Sequence, residues 1–327
     1  MPEYKTLEYK KPSTKEIVKL PILVHFHGGA LLIGNKQTGL PSWLIERTLA
    51  SGCAFISADY RCLIPATASD IVDDLKDVFK FVSSTTFKGD DYTFQLDEDR
   101  IGVSGSSAGG LCAYLATIHC SPRLKVLVSI YGQGGDFFTK HHLSVKKGGL
   151  NFMGMNIPEL NPSDFSSIMY PFSEGMPMRL GGPCSCSSEK PADDELQPLL
   201  SGRQLPGLLH RLARTQLSKK LREILEGPNP TVQDFKNAIP KIKHGLFPQL
   251  CIDTQWPPTI LIHGTADDVV PPEESRNIKR LVEEVGASVQ LIEVEGQQHG
   301  YDYFVPNIEE LEKENFDAII HFVQKHL

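Results

Sequence analysis

Ser107 lies in Gly105-Ser106-Ser107-Ala108-Gly109, Asp267 in His263-Gly264-Thr265-Ala266-Asp267, and His299 between Gln298 and Gly300. A serine hydroxyl is a poor nucleophile at neutral pH until a base removes its proton. An imidazole serves as that base once a carboxylate fixes its tautomer and steadies the imidazolium that forms. The three residues supply this set in the chain order Ser, Asp, His. Both glycines of the pentapeptide have a steric reading. The turn presenting the serine is so tight that side chains two residues away would collide with it. Arg100–Ser104 before it reads as a buried strand and Gly110–His119 after it as a helix. The turn therefore aims Ser107 at a helix N-terminus, where unpaired N–H groups favour a developing negative charge.

Eleven histidines compete for the role of base. His25 falls inside an apolar strand, His119 ends a helix, and His321 and His326 lie on the terminal helix. His141, His142, His210 and His244 fall in a middle region without strand–helix alternation. His263 opens the loop that carries the candidate acid. His299 follows a strand, sits in a Gly-flanked loop and comes after Ser107 in the chain. For the acid, Asp267 is the first choice, Asp268 is the neighbouring alternative, and Asp302 is less well placed, only three residues past His299.

Acyl transfer also needs donors for a tetrahedral oxyanion, and loss of one typically raises the barrier by about 3–4 kcal/mol. His27-Gly28-Gly29-Ala30 offers the amides of Gly29 and Ala30. Ala108, directly after the serine, offers a third. Small residues at these points let a carbonyl approach the main chain.

These residues need a scaffold that brings strand ends together. Pro21–Phe26, Cys53–Ala58, Arg100–Ser104 and Leu124–Ile130 read as strands that are apolar on both faces, as a parallel sheet covered by helices requires. Tyr4–Tyr9 reads as an edge strand and Lys10–Lys15 as a turn. Pro41–Ser51 reads as a helix with Gly52 past its end, and Ser69–Ser83 as a helix with Ser69 as N-cap. Alternation stops from Gly132 to about Gln255. There Leu205–Glu226 reads as a basic amphipathic helix or helix pair, and Gly181–Pro198 as loop. Alternation resumes with the strand Thr259–Ile262, the helix Glu273–Val285 closed by Gly286, the strand Ser288–Val294 and the helix Ile308–His326. The reading is an α/β core at residues 1–132 and 256–327, with a cap inserted at 133–255. So long an insertion should have its own packing.

Four segments and a closing histidine resemble the hormone-sensitive-lipase-like branch of the α/β-hydrolases (fold-3 type). They are His27-Gly-Gly-Ala30, Asp59-Tyr-Arg61, Gly105-Ser-Ser-Ala-Gly-Gly110, His263-Gly-Thr-Ala-Asp267 with Val270-Pro271, and His299-Gly300. The resemblance implies an α/β-hydrolase fold: a mostly parallel, twisted, eight-stranded-type sheet with helices on both faces and an inserted helical cap. It implies a serine esterase with Ser107, Asp267 and His299 as triad and Gly29, Ala30 and Ala108 as oxyanion donors. The sequence departs from the pattern at three points. Ala30 replaces the last glycine of HGGG, Ser106 replaces an aspartate before the nucleophile, and Cys62-Leu-Ile-Pro65 replaces the usual Leu-Ala-Pro-Glu.

The bulk composition is that of an ordinary globular protein. The chain has 327 residues, 40% of them hydrophobic and 22% charged, with a net charge of −7. That charge gives no electrostatic reason to expect nucleic acid as a partner. No apolar run is long enough to span a bilayer, and the first eleven residues lack the apolar segment of a signal peptide. Seven scattered cysteines without a leader favour a reducing, cytoplasmic setting. Cys53, Cys112 and Cys251 read as small buried hydrophobes. Cys184 and Cys186 lack the second ligand pair that zinc needs. Five of the six methionines, at 153, 155, 169, 176 and 178, fall in the cap with Phe152, Phe165, Tyr170 and Phe172. They suit either an adaptable apolar pocket or the cap's own core. The expected activity is hydrolysis of small to medium acyl esters, with a small-molecule ester as partner and no cofactor. The alternatives are an amidase or deformylase of the kynurenine-formamidase type, and a non-catalytic small-molecule receptor on the same fold.

Overall fold

The computed structural model describes residues 18–63, 66–88, 93–144, 150–152, 155–157 and 216–327. The first half runs β1 (Val18–Phe26), α1 (Ser42–Ala50), β2 (Ala54–Ala58), α2 (Ala68–Ser84), β3 (Thr86–Lys88), β4 (Thr93–Ser106), α3 (Ala108–His119) and β5 (Val126–Ile130). Next come a single helical turn, α4 (Lys140–Leu143), the hairpin β6 (Leu150–Phe152) and β7 (Met155–Ile157), α5 (Gln216–Leu225), α6 (Val232–Ala238), and 3₁₀ turns at Lys241–Leu246 and Pro248–Leu250. The last part is β8 (Thr259–Gly264), α7 (Glu273–Glu284), β9 (Val289–Val294), α8 (Tyr301–Phe304), α9 (Ile308–Leu311) and α10 (Lys313–His326).

Among the described residues the main sheet has seven strands, in the order β2-β1-β4-β5-β8-β9, with β3 antiparallel to the first part of β4. All the other pairings in it are parallel. Parallel strands buried on both faces alternate between two cores. Ile22, Val24 and Phe26 of β1 and Leu127 of β5 pack on one side with Ile71, Leu75, Phe79, Tyr114 and Ile278. Leu23, Val126, Val128, Ile130, Ile260 and Ile262 pack on the other with Trp43, Leu44, Phe316, Ile319 and Val323. The helices α2, α3 and α7 thus cover one face, and α1 and α10 the other. The C-terminal ends of β1, β4, β5 and β8 meet at one edge, the place where open parallel α/β sheets bind ligands.

Several boundaries differ from expectation. Helix α2 is capped by Thr67, not Ser69. The Thr67 hydroxyl receives the Asp70 N–H while the Asp70 carboxylate receives the Thr67 N–H, so a reciprocal box outcompetes a serine two residues inside it. Strand β4 begins at Thr93, so Asp97–Arg100 lies within it, at the register shift where pairing with β1 passes from Leu20–Leu96 to Ile22–Ile101. The C-terminal helix is interrupted at Glu312 into α9 and α10, after Asn307 takes a φ of 58°. Cys53 and Cys112 are buried, but Cys251 is half-exposed at the end of a 3₁₀ turn.

A third apolar cluster joins Phe138, Leu143, Leu221, Phe235 and Ile239. Phe138 and Phe235 stack at 4.3 Å. Of the expected amphipathic stretch, Gln216–Leu225 is helical with Leu221 buried in this cluster. Residues 205–215 lie outside the described residues. So do the expected Tyr4–Tyr9 strand, the Gly181–Pro198 loop with Cys184 and Cys186, and the side chains of the methionine-rich segment. No described helix is long and apolar enough to cross a membrane.

Candidate active site

Ser107 sits between β4 and α3 at φ 55°, ψ −122°, a conformation that costs of order 1–3 kcal/mol outside glycine. Neighbouring backbone holds it there. Its N–H donates to Ile130 O at 2.9 Å, and its carbonyl accepts the N–H groups of Gly110 and Gln133, both at 2.9 Å. The flanking glycines are sterically required. A Cβ on Gly105 would stand 1.9 Å from Gly109 O, and one on Gly109 2.0 Å from Phe26 O. The next residue is equally constrained, since a Cβ on Gly110 would lie 2.4 Å from Gly132 Cα.

His299 reaches the serine from the loop after β9. Its Nε2 is 2.9 Å from Ser107 Oγ, and its Nδ1 is 2.7 Å from Asp267 Oδ2. A carboxylate only accepts, so Nδ1 carries the proton and Nε2 is left to accept from the serine hydroxyl. Asp267 Oδ1 accepts the N–H groups of Val269 and Val270, both at 2.9 Å. Its Oδ2 also lies 3.3 Å from His263 Nε2. Burial works to raise the Asp267 pKa. The bonds from His263 and His299 outweigh it and hold the carboxyl down at about 2.

His263 opens the loop that carries Asp267, and the structure gives it a task. It is fully buried, its Nε2 donates to Val270 O at 2.8 Å, and its Nδ1 accepts from Ser275 Oγ at 2.7 Å. It braces the turn that carries Asp267. A histidine ending a buried strand was the available signal. Asp302 does not reach His299 as its hydrogen-bonding acid. It is buried instead between Tyr131 Oη at 2.6 Å and Trp43 Nε1 at 3.0 Å.

The loop after β1 runs beside the nucleophile. A Cβ on Gly28 would lie 3.2 Å from Ser107 Cβ. Gly29, Ala30 and Leu31 follow at φ 108°, 63° for Leu31 and 55° for Ala30. Ala30 therefore adopts the left-handed conformation that HGGG would give to glycine. Among the described residues no backbone bond outside the regular elements uses the N–H of Gly29, Ala30 or Ala108. Ala108 opens α3, where the helix itself offers its N–H no partner.

Ser106 points to the other face of β4. Its Oγ is 3.5 Å from both His25 Nε2 and Tyr303 Oη, and His25 Nδ1 is 3.0 Å from Ser104 Oγ. Burial, reinforced by His27, pushes His25 down to about 3, so it is neutral here. The serine thus belongs to an uncharged polar cluster under the elbow.

Comparison with known proteins finds sequence and fold similarity to esterases. The family model described as BD-FAE matches residues 8–141. A probable carboxylesterase M8 from Phoma sp. is 30% identical over 117 residues, 34% of this chain and 37% of that protein. An isoprenylcysteine alpha-carbonyl methylesterase from Arabidopsis thaliana is 24% identical over 316 residues, 96% of this chain and 58% of its own length. The matches therefore span between about a third and three-fifths of these relatives, 37% and 58%. Among solved structures, the Thermogutta terrifontis esterase Est2 with butyrate bound superposes with a TM-score of 0.54 at 19% identity, covering 97% of this chain and 87% of that one.

Proposed function

We propose that this chain, an α/β-hydrolase by fold, is a serine hydrolase of carboxylic esters of small to medium acyl groups. The observation that carries the reading is the continuous relay from Ser107 Oγ through His299 to Asp267, at 2.9 and 2.7 Å, beside backbone N–H groups that make no backbone hydrogen bond to the described residues. The carboxylesterase names of the relatives favour an ester over an amide, and the butyrate in the Thermogutta structure favours short acyl chains.

In this mechanism Ser107 Oγ attacks the ester carbonyl carbon as its proton passes to His299 Nε2. The carbonyl electron pair moves onto oxygen, where the N–H groups of Gly29, Ala30 and Ala108 receive it. Preorganised donors at a helix start need no reorganisation as that charge develops. Asp267 steadies the imidazolium. Collapse of the intermediate breaks the bond to the leaving alkoxide, which takes the proton from His299, and an acyl-serine remains. Water repeats the cycle, with His299 as base and then acid, and releases the carboxylic acid. No cofactor enters any step. The cap would be the insertion at 133–255, and the setting we propose is cytoplasmic.

Turnover of p-nitrophenyl esters of graded chain length tests the reading. The expected result is a burst, a preference for short chains, and loss of activity in Ser107→Ala. Turnover that survives Ser107→Ala would reject the assignment. Hydrolysis of N-formyl-arylamines without esterase activity would move the protein to the amidase class.

A further inference from the structure

The relay leaves one group of buried polar residues around His299 unused. Tyr131, the first residue past β5, adopts a φ of 38°, and its N–H donates to Ile262 O at 2.7 Å. This left-handed backbone turns the ring onto His299, edge to face at 4.8 Å between centroids. The Tyr131 hydroxyl donates to Asp302 Oδ1 at 2.6 Å, and Trp43 Nε1 donates to Oδ2 at 3.0 Å. Asp302 lies three residues after His299 on the same segment, so the contacts close a ring from the imidazole through α8 and the tyrosine back to the imidazole. An indole N–H only donates, and a phenol held at 2.6 Å is within the range of bonds to an ionised carboxylate. Burial raises the Asp302 pKa on balance, and the hydrogen bonds from Tyr131 and Trp43 limit that rise.

We propose that Tyr131 and Asp302 are a positioning pair for the candidate base: the tyrosine ring fixes the imidazole plane, and the carboxylate favours the imidazolium. The proposal takes the roles of Ser107 and His299 from the esterase reading. A buried negative charge near an imidazole favours its protonated form. Among the described residues, the titratable groups facing His299 are Asp267 with His263 behind it, Ser107, Tyr131 and Asp302. Those facing Asp302 are Tyr131, His299 and its neighbours Tyr301 and Tyr303, with the Trp43 indole completing its surroundings.

The test reads the pH dependence of fluorophosphonate labelling at Ser107, which needs no natural substrate. Labelling forms the Oγ–P bond, breaks P–F, releases fluoride and passes the serine proton to His299. Asp302→Asn keeps an acceptor for Trp43 and removes the charge. It is expected to move the acid limb to lower pH by about half a unit to one unit and to slow the plateau about tenfold. Tyr131→Phe keeps the ring and removes one donor. It is expected to slow the plateau about threefold, shift the limb less, and leave ester KM unchanged. A folded Asp302→Asn whose limb stays in place overturns the proposal, whether its rate falls or not. If that variant does not fold, Tyr131→Phe decides, and wild-type kinetics there overturn the proposal equally. If wild type itself resists labelling, the esterase reading fails. The pair is then judged by NMR titration of the His299 imidazole, where equal midpoints in wild type and Asp302→Asn overturn it.

Discussion

Asp267 accepts three donors, two backbone N–H groups and His299, with His263 Nε2 3.3 Å away. Its carboxyl is held at about 2, below the unfolded value of about 3.9. The sign follows directly: the stabilisation is complete above the unfolded pKa and is lost as pH falls through the folded one. The stability gap between wild type and Asp267→Asn is therefore expected to close between about pH 5 and pH 2, read by denaturant titration across that range. At neutral pH the same variant should lose about 10³- to 10⁴-fold in kcat, because an amide can present its NH₂ and favour the wrong imidazole tautomer. Ala30 behaves differently. Glycine at φ 55° relieves strain of about 1 kcal/mol but adds unfolded-state entropy of similar size. Ala30→Gly keeps the N–H, so Tm and kcat should both stay close to wild type in thermal melts and steady-state assays.

At the scale of elements, the elbow and α7 do the positioning. Gly105→Ala drives a Cβ against the α3 backbone, 1.9 Å from Gly109 O, where no side chain can yield. Destabilisation above about 3 kcal/mol, or failure to fold, is expected in chemical denaturation. Helix α7 braces the site through adjacent residues. Ser275 holds His263, while Glu274 accepts the N–H groups of Gly134 and Gly135 at 2.6 and 3.0 Å and faces His142 of α4 at 2.7 Å. Gln133, one residue earlier, donates to the Ser107 carbonyl. Glu274→Ala strands two buried N–H groups and should cost about 2–4 kcal/mol. Hydrogen exchange should localise the loosening to residues 132–143, with slower labelling of Ser107 alongside.

In the whole molecule, two cores of unlike composition sandwich the sheet, and the site straddles its edge. The α1/α10 core, to which Tyr131 belongs, also reaches the site through Trp43. Trp43 stacks on Phe316 at 4.1 Å and also donates to Asp302. Phe316→Ala opens a cavity in a fully buried position and should lower stability by about 3–5 kcal/mol. Calorimetry measures that loss. A labelling rate changed far less than Tm would show that Asp302 keeps its other partner, Tyr131. Arg47 adds surface support between the same helices, with Glu309 at 2.7 Å and Asp317 at 2.9 Å, but exposed pairs contribute little.

The serine turn, the two glycines beside it and the order of Asp267 and His299 were legible in the sequence because each depends on local geometry. A tight strand–turn–helix needs small residues at fixed offsets, and loops after parallel strands share one edge. The strand–helix alternation was legible for the same reason, as burial on both faces leaves continuous apolar runs. The cap of α2 is not legible in the sequence because serine and threonine share the chemistry of an N-cap, and only the partner at Asp70 decides for Thr67 over Ser69. Glu274, Tyr131 and Asp302 carried no local signature of their contacts, and His263 showed only as a histidine ending a buried strand. Their partners lie 12, 139 to 140 and 171 residues away along the chain, and no periodicity records such distances. By itself the sequence determined what backbone sterics and hydrophobic period determine: the elbow, the strands and the chain order of Ser107, Asp267 and His299. Only the tertiary structure decided which buried polar groups meet, because desolvation makes a partner obligatory and packing alone selects it.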